Sequence, residues 1–362
     1  MNNCIPNIYY SIGGMAQYYE SPLDILSANY DSSINKIVIN TSVQPNSIPH
    51  FGTITTFMGA FLFAVNAAKR FQKETYVEID FVDCGPTAAY HQHGGEICLS
   101  IAKAPINDMT DVCIADYYIS KYYVPLLGWL QKNTGIEYRT RRYKQFQAET
   151  AVRKATIEIC NNQQIKTLLS PHDHKLHIRA ECPVCGNIDK LMKQTSIVPL
   201  SDDCFIIESH CILHGSYSVE IRKDNNGYFE ANTQIRDIAK GALMDDYYKM
   251  RNLMGVMFDG GDWGGTWTHF VHCMSLQKLN YQIPIRLFSP LILDWSGGKL
   301  SKSIYRNNPN DITNALENYE TFLNTYGEQG LFIILNEVAE WVSLSKKFFR
   351  NYSLDYILAL FT

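Results

Sequence analysis

The sequence predicts an α/β protein built on a parallel sheet of Rossmann type. Residues 36–41 are a short β-branched run, and a polar loop with two prolines separates them from a long apolar-periodic segment at 51–72. A second strand-forming run, 76–82, follows and ends at an aspartate, a glycine and a proline. Strand, loop, helix and strand in this order are typical of the first βαβ unit of a parallel nucleotide-binding sheet.

The elements after this unit continue the α/β pattern. Residues 116–166 are predicted to be mostly helical, with breaks near Pro125 and at Gly135. Helical periodicity returns at about 235–253. A strand at 255–259, a glycine-rich turn, a helix ending near 278, a strand at 285–293 and amphipathic helix from about 311 complete the prediction.

A change in composition divides the chain. Residues 168–227 are polar and contain histidines and paired cysteines, which favours an insertion over a part of the main sheet. We therefore predict a Rossmann-type domain at 1–167 and 228–310, a metal-binding insertion at 168–227, and a short helical C-terminal region at 311–362.

Composition excludes several classes of protein. Hydrophobic residues make up 46% of the 362, enough for a substantial core, and charged residues, at 19%, are too few for long disordered regions. A net charge of −4 argues against a general coat for nucleic acid. The longest apolar run, 57–68, falls short of the ~20 residues that span a bilayer, and the N-terminus lacks the features of a secretory signal. Ten cysteines then predict reduced thiols and a metal site in a soluble, cytoplasmic protein.

The first candidate site is the motif Pro49-His50-Phe51-Gly52-Thr53, where the first strand leads into the first helix. In parallel sheets, ligands bind at this position because backbone N–H groups at the helix start face the crevice. A histidine there can hydrogen-bond phosphate oxygens, and a glycine lets a ligand approach the backbone. The alternative is a loop histidine beside a helix-starting glycine, since this triplet is common.

The second candidate site is the segment GGKLSKS at 297–303, which follows a predicted strand. Two lysines and two hydroxyl groups on a glycine-hinged loop suit a mobile clamp that stabilises negative charge as pyrophosphate leaves a triphosphate. A solvated basic loop is the alternative. The residues concerned are Lys299, Ser301, Lys302 and Ser303.

The predicted insertion contains two pairs of metal-ligand residues, each followed by glycine. The pairs are Cys182 with Cys185, and Cys211 with His214. Four such ligands fit tetrahedral Zn²⁺ at a closed structural site without a catalytic role. The alternatives are free cysteines in a loop-rich insertion, or replacement of one ligand by Cys204 or His210. The histidines within 172–177 are a weaker metal candidate.

A short basic patch lies at 138–144. It interleaves two tyrosines with basic residues; its members are Tyr138, Arg139, Arg141, Arg142, Tyr143 and Lys144. Alternating aromatic and arginine side chains suit single-stranded RNA. For a segment this short, a solvated helix face is the favoured interpretation.

The order of these motifs resembles that of class I aminoacyl-tRNA synthetases, whose corresponding motifs have the forms HIGH and KMSKS. His50 and Lys299 open the two motifs here and flank a whole α/β body. Over about 35–305 the chain is most similar to the catalytic region of class I lysyl-tRNA synthetase. The similarity includes the acidic strand end at Asp83, the paired-cysteine ribbon, the segment with Arg236 and the glycine-rich turn.

The resemblance implies a zinc-ribbon insertion in a class I synthetase catalytic fold that binds ATP with Mg²⁺ and an amino acid. The implied catalytic residues are His50, Lys299 and Lys302. The implied ATP-binding residues are Pro45, Pro49, His50, Gly52, Thr53, Asp262, Gly264, Gly265, Lys299, Ser301, Lys302 and Ser303. Asp83 and Asp237 are implied to line the amino-acid pocket and face an ammonium group. For each of these two, a helix cap or a structural ion pair is the alternative.

Three departures from the family pattern bear on specificity. Thr53 replaces the second histidine of HIGH, and Trp263 follows Asp262 where the lysyl branch has histidines. Only about sixty residues follow Ser303, where family members continue into an anticodon-reading domain.

The leading hypothesis is a stand-alone enzyme that activates lysine or a related amino acid with ATP and transfers it to a small molecule or a carrier. One alternative is a tRNA-directed enzyme that contacts only the acceptor stem. The other is a catalytically silent protein that binds an amino acid or a nucleotide.

Overall fold

The computed structural model describes residues 8–9, 13–87, 90–92, 95–106, 109–224, 227–265, 267–300 and 315–362. The strands are β1 (Ile8–Tyr9), β2 (Lys36–Val43), β3 (Glu74–Phe81), β4 (Tyr90–Gln92), β5 (Gly95–Ile97), β6 (Pro105–Ile106), β7 (Met109–Cys113), β8 (Tyr138–Arg142), β9 (Ile178–Arg179), β10 (Ser196–Ser201), β11 (Cys204–Cys211), β12 (Gly215–Arg222), β13 (Glu230–Ala231), β14 (Leu253–Gly260), β15 (Ile285–Ser289), β16 (Ile292–Leu293) and β17 (Tyr352–Ser353).

The helices lie between single strands and runs of strands. They are α1 (Leu23–Asn29), α2 (Phe51–Phe71), α3 (Ile114–Tyr118), α4 (Val124–Thr134), α5 (Tyr143–Ala148), α6 (Thr150–Asn161), α7 (Gln163–Leu169), α8 (Thr233–Arg251), α9 (Met274–Lys278), α10 (Tyr319–Ser343), α11 (Ser345–Phe348) and α12 (Leu354–Ala359). Two π-helical segments, Ile119–Tyr123 and Trp267–Cys273, lead directly into α4 and α9. Two 3₁₀ turns lie at Gly13–Gln17 and Gly261–Trp263.

A parallel sheet with strand order β1-β15-β14-β2-β3-β8 forms the centre of the protein. This confirms the predicted Rossmann-type parallel sheet. From β2 the chain builds outward through β3 to β8, and it later returns to the other side of β2 with β14 and β15. The strand order therefore reverses between β2 and β14, and a crevice opens there at the carboxyl ends of the strands.

Helices cover both faces of the sheet because alternate side chains of each strand point to opposite sides. In β2, Ile37 and Ile39 belong to the core under α2, whereas Val38 packs with residues of α8 on the other face. By length and composition alone α2 could cross a bilayer, but most of its apolar window is buried in the protein. The apolarity of α2 is therefore explained by its place in the core.

The C-terminal helices complete one face of the sheet. Helix α10 packs along α2, and Phe322, Val338 and Trp341 are buried in the same core as the α2 side chains. The backbone N–H of Tyr319 also donates to the carbonyl oxygen of Pro49, at 2.8 Å. The start of α10 thus supports the loop that contains the histidine motif.

The residues predicted as an insertion contain an antiparallel sheet, β10-β11-β12. Its buried side chains Phe205, Ile207 and Ile221 form a second core together with Ile157 of α6 and Ile235 of α8. The small sheet consequently rests on two helices of the main body.

The structure corrects the prediction for the segment around the basic patch. Pro125 does not end the helix: α3, the π-helical segment Ile119–Tyr123 and α4 follow one another without a break, and the proline lies just after the π-helical segment, where the backbone hydrogen-bonding pattern changes. Residues 138–142 form strand β8 at the edge of the sheet, so the prediction of a helix there, and of a solvated helix face, is wrong. Arg141 is buried, with its guanidinium 3.0 Å from Glu78 and 2.8 Å from Asp80. The buried carboxylates of Glu78 and Asp80 on β3 draw this arginine inward. The spacing of residues in the sequence does not show that these carboxylates lie beside it.

Replacement of Arg141 by Met should lower the free energy of unfolding by about 3–5 kcal/mol, because it leaves buried carboxylates without their guanidinium. Urea denaturation would measure the change. Burial already raises the pKa of Glu78 although Arg141 opposes it, so the variant should recover stability as the pH is lowered and Glu78 becomes protonated. The matched control is Arg139→Met, since Arg139 is exposed on the same strand and contacts the ring of Tyr76. Equal losses in the two variants would contradict the buried role of Arg141.

Candidate functional site

The crevice at the β2–β14 reversal contains a cavity of about 270 Å³, called the switch-point cavity here. Its walls are the ends of β2 and β14, residues 290–292 after β15, the first turns of α2 and the loop that contains Lys299. His50, Asp262 and Lys299, from three distant parts of the chain, all line it. The two motifs singled out in the sequence therefore meet at one site.

His50 is the N-cap of α2, and its Nδ1 accepts a hydrogen bond from the backbone N–H of Thr53, at 3.3 Å. An accepting Nδ1 leaves the ring proton on Nε2, where it can be donated to an anion. Gly52 leaves room for the ring, since a Cβ there would lie 3.1 Å from the imidazole, a tighter contact than most side chains make. The N-terminus of a 21-residue helix and a histidine donor at its first turn form a site suited to phosphate.

Lys299 and Asp262 form an ion pair on the opposite wall of the switch-point cavity. Their side chains are 36% and 32% exposed, so the pair contributes only about 0–1 kcal/mol and is easily exchanged for another partner. A phosphate group that enters the cavity can therefore replace Asp262 as the partner of Lys299. A ligand hydroxyl group can then donate a hydrogen bond to Asp262.

The other residues predicted to bind ATP differ in their placement. Gly52 and Thr53 line the switch-point cavity together with the three residues above. Pro45 and Pro49 are buried in the loop before α2, and Gly264 and Gly265 lie in the turn just after Asp262. The three remaining predictions, Ser301, Lys302 and Ser303, lie outside the described residues.

A second cavity, of about 170 Å³, adjoins the first and is called the adjoining cavity. The two share residues at the end of β2 and, across the crevice, Asp259 and Trp263. The adjoining cavity continues over the end of β3 to one face of α8 and to Arg286 of β15. Two small ligands can thus lie side by side, in contact at the shared residues.

Arg286 organises the charges at the junction of the two cavities. Its side chain is only 1% exposed, and it contacts the carboxylates of Asp237 at 2.8 Å and Asp259 at 2.9 Å. Burial opposes ionisation of Asp237, but Arg286 and Lys240 outweigh it and lower the pKa of that carboxyl. Burial raises the pKa of Asp259, and Arg286 offsets this only in part. The two carboxylates share the guanidinium of Arg286, and the ammonium group of Lys240 also acts on both.

The two aspartates that the resemblance implies for the amino-acid pocket both have protein partners. Asp237 lines the adjoining cavity and is paired with Arg286. Asp83 is not among the residues that line that cavity. Its carboxylate contacts Arg142 at 2.5 Å and accepts from the backbone N–H of Tyr143 at 3.0 Å, at the start of α5.

Sequence reasoning missed several charged residues of the adjoining cavity: Asp80, Lys240, Asp259 and Arg286. One signal was available, since Arg286 interrupts an otherwise apolar strand and a buried arginine needs carboxylate partners. Which carboxylates meet it could not be read from the sequence, because they come from α8 and β14.

The structure also assembles the predicted metal cluster. Sγ of Cys182, Cys185 and Cys211 and a ring nitrogen of His214 all lie within 4.8 Å of one another. Sγ of Cys185 and Cys211 are 3.6 Å apart, and Nδ1 of His214 is 3.7 Å from Sγ of Cys182. With metal–sulfur bonds of about 2.3 Å, the edge of a ligand tetrahedron is about 3.8 Å. The four residues therefore fit zinc.

Backbone geometry supports this cluster. Gly186 and Gly215, which follow the two ligand pairs, have φ angles of 76° and 77°, in the left-handed region that glycine adopts without strain. Burial would raise the pKa of the Cys211 thiol, but the backbone N–H of Leu213 and the side chain of His214 lower it to about 6. A thiolate, the form that binds a metal ion, is thus favoured at Cys211.

The alternative ligands do not reach the cluster. Cys204 lies at the opposite end of the eight-residue strand β11 from Cys211, roughly 23 Å away, and its sulfur contacts Glu220. His210 precedes Cys211 on the strand, where side chains alternate between faces, and its Nδ1 contacts Ser216. Within the described part of the chain, the histidines of 172–177 join no such group of ligands.

Purified protein should contain about one zinc ion per chain, and Cys182→Ser should lose it and unfold at a lower temperature or become insoluble. The physical reason is that metal binding stabilises only the folded state, so loss of a metal-ligating side chain lowers the free energy of unfolding. Metal analysis and thermal denaturation would measure both effects. The control is Cys204→Ser, which should keep the metal; zinc loss in that variant instead would contradict the ligand set.

Comparisons with known proteins find distant similarity of shape. A Mycobacterium tuberculosis methionyl-tRNA synthetase in complex with methionyl-adenylate matches 90% of this chain and 68% of its own, with 11% identity and a TM-score of 0.41. A putative arginyl-tRNA synthetase from Campylobacter jejuni matches 89% of this chain and 67% of its own, with 12% identity and a TM-score of 0.32. No family model and no curated protein matches the sequence. At these TM-scores neither similarity assigns this chain an activity.

Proposed function

We propose that the protein is an ATP-dependent ligase that activates an amino acid as its aminoacyl-adenylate. One observation carries the proposal: His50 at the N-terminus of α2, Asp262 and Lys299 surround one cavity where the strand order of a parallel sheet reverses. Nucleotides bind at such positions because helix N-termini and loop residues converge there.

The switch-point cavity is suited to a nucleotide triphosphate. The first turn of α2 and His50 supply donors for phosphate oxygens on one side, and Lys299 supplies a cation on the other. Once Lys299 binds phosphate, the carboxylate of Asp262 can accept hydrogen bonds from ribose hydroxyl groups. Mg²⁺ would enter bound to the phosphates and reduce their negative charge.

The adjoining cavity is suited to the amino acid. The shared wall at the end of β2, at Asp259 and at Trp263 brings its ligand next to the nucleotide. A carboxylate oxygen there can attack the α-phosphorus; the new O–P bond forms as the bond to the β-phosphate oxygen breaks, and pyrophosphate leaves with that electron pair. The substrate is the nucleophile, and the protein contributes positioning and electrostatic stabilisation.

The acceptor of the activated amino acid distinguishes the remaining hypotheses. Motif order favours lysine or a related amino acid, and transfer to a small molecule or a carrier is the leading hypothesis for the acceptor. Transfer to the acceptor stem of tRNA is the alternative. In a silent binding protein the lysine loop would have no chemical task, so the presence of both lysines favours an enzyme.

ATP–pyrophosphate exchange across a panel of amino acids, with and without bulk tRNA, tests the proposal. Exchange that depends on one amino acid and not on tRNA would support adenylate formation and a separate acceptor. Exchange only in the presence of tRNA would favour the tRNA-directed alternative. Nucleotide binding without any exchange would favour the silent protein and overturn the proposal.

Lys302→Ala should reduce the exchange rate by about 10²–10³-fold with little effect on ATP binding, because this lysine is expected to stabilise charge that develops only in the transition state. Exchange kinetics and equilibrium binding of ATP would measure the two effects separately. The control is Lys346→Ala, an exposed lysine of α11. Parallel losses of binding and exchange would argue against a transition-state role.

A further inference from the structure

The charges around the adjoining cavity indicate which class of amino acid it would bind as a substrate. This inference rests on the proposed function. We propose that the substrate is a dicarboxylic amino acid, with its distal carboxylate bound by Arg236. This substrate class differs from the lysine-like substrate that the motif order favours. It follows from which charged residues around the cavity have a protein partner of opposite charge and which do not.

One face of α8 forms a wall of the adjoining cavity. Thr233, Arg236, Asp237 and Lys240 follow the spacing i, i+3, i+4, i+7, which places them along a single stripe of the helix. Two cations and one carboxylate from this stripe therefore border the same small space, opposite Arg286.

Two of the three cations around the cavity are neutralised by the protein. Lys240 is buried, lies 3.2 Å from Asp80 and donates to the hydroxyl of Ser42. Arg286 is held by Asp237 and Asp259. Neither needs a ligand to balance its charge.

Arg236 differs from both. It donates to the carbonyl oxygen of Ala231 at 3.1 Å and to the hydroxyl of Thr233 at 3.0 Å, and both acceptors are neutral. Among the described residues it forms no ion pair with a carboxylate. Its guanidinium has five N–H donors, so donors remain for a ligand. A half-buried cation beside a cavity, with no carboxylate at ion-pair distance among the described residues, favours an anionic ligand group there.

The opposite charge lies at the junction with the nucleotide. Asp237 and Asp259 share a single guanidinium, and their side chains are 14% and 12% exposed, whereas Arg286 is only 1% exposed. The carboxylates thus border the open space with Arg286 behind them. An α-ammonium group placed here would be next to the α-carboxylate that faces ATP.

These two sites fix the orientation of the amino acid. The α-ammonium faces Asp237 and Asp259, and the distal group points to Arg236. The same cavity is also lined by apolar side chains, Phe81, Val82 and Phe146, which suit a short methylene chain. The ammonium group of a bound lysine would meet the like charge of Arg236, whereas a carboxylate would form a charge-assisted hydrogen bond.

The first experiment is ATP–pyrophosphate exchange with L-aspartate, L-glutamate and L-2-aminoadipate, compared with L-glutamine, L-lysine and the other common amino acids. We expect exchange with a dicarboxylic amino acid, at a rate far above that with its neutral amide or with lysine. Exchange with lysine or a neutral amino acid in preference to all three acids would overturn the inference but leave the proposed function intact. No exchange with any amino acid would overturn both.

The second experiment tests Arg236 itself. Arg236→Gln should raise KM for the preferred acid by about 10- to 150-fold, as expected for the loss of a hydrogen bond to a charged group, with a smaller change in kcat. Arg236→Lys should restore part of the affinity, since it keeps the charge. The control on the same helix is Arg251→Gln, which removes a half-exposed arginine paired with Glu149.

Thermal denaturation of each variant separates an effect on binding from an effect on folding. An unchanged KM in a folded Arg236→Gln protein would overturn the inference. If activity is lost generally and Arg236→Lys does not restore it, the residue has a structural role in the first turn of α8. That result would also overturn the inference.

Discussion

The reversal of strand order between β2 and β14 is the constraint on which the site depends. Parallel strands need crossover connections, and chains that leave neighbouring strands in opposite directions cannot fill the space between them. In this protein α2 leaves from β2, whereas β14 continues through Trp263 into the segment before β15. The crevice between the two paths places the N-terminus of α2, Asp262 and Lys299 around one space.

The charged pairs beside the crevice are a consequence of the same arrangement. Strand ends that border a crevice are shielded from bulk water but not filled by apolar side chains, so charges placed there need partners. Glu78 and Asp80 share Arg141, and Asp237 and Asp259 share Arg286. The pairs fix the direction of each carboxylate before a ligand arrives, which is the preorganisation that electrostatic stabilisation requires.

Features specified by local periodicity could be predicted from the sequence, and features specified by long-range pairing could not. The strands β2, β3 and β14 and the helices α2 and α8 follow from runs of apolar residues and their spacing, and the four metal ligands from two pairs with fixed spacing. Strand β8 was missed because its arginines resemble a solvated surface until Glu78 and Asp80 are known to lie beneath Arg141. Arg286 and Asp259 were missed for the same physical reason.

Helix α8 lies between the small antiparallel sheet and the adjoining cavity. Ile235 and Ile238 of this helix pack into the core of the small antiparallel sheet, while Arg236, Asp237 and Lys240 border the adjoining cavity from the next face. The small sheet in turn contains Cys211, at the end of β11. A closed cluster of four protein ligands has no position for a reacting water molecule, so its contribution is mechanical. A metal ion bound there would hold the small sheet in place and, through the shared core, the face of α8 that borders the adjoining cavity.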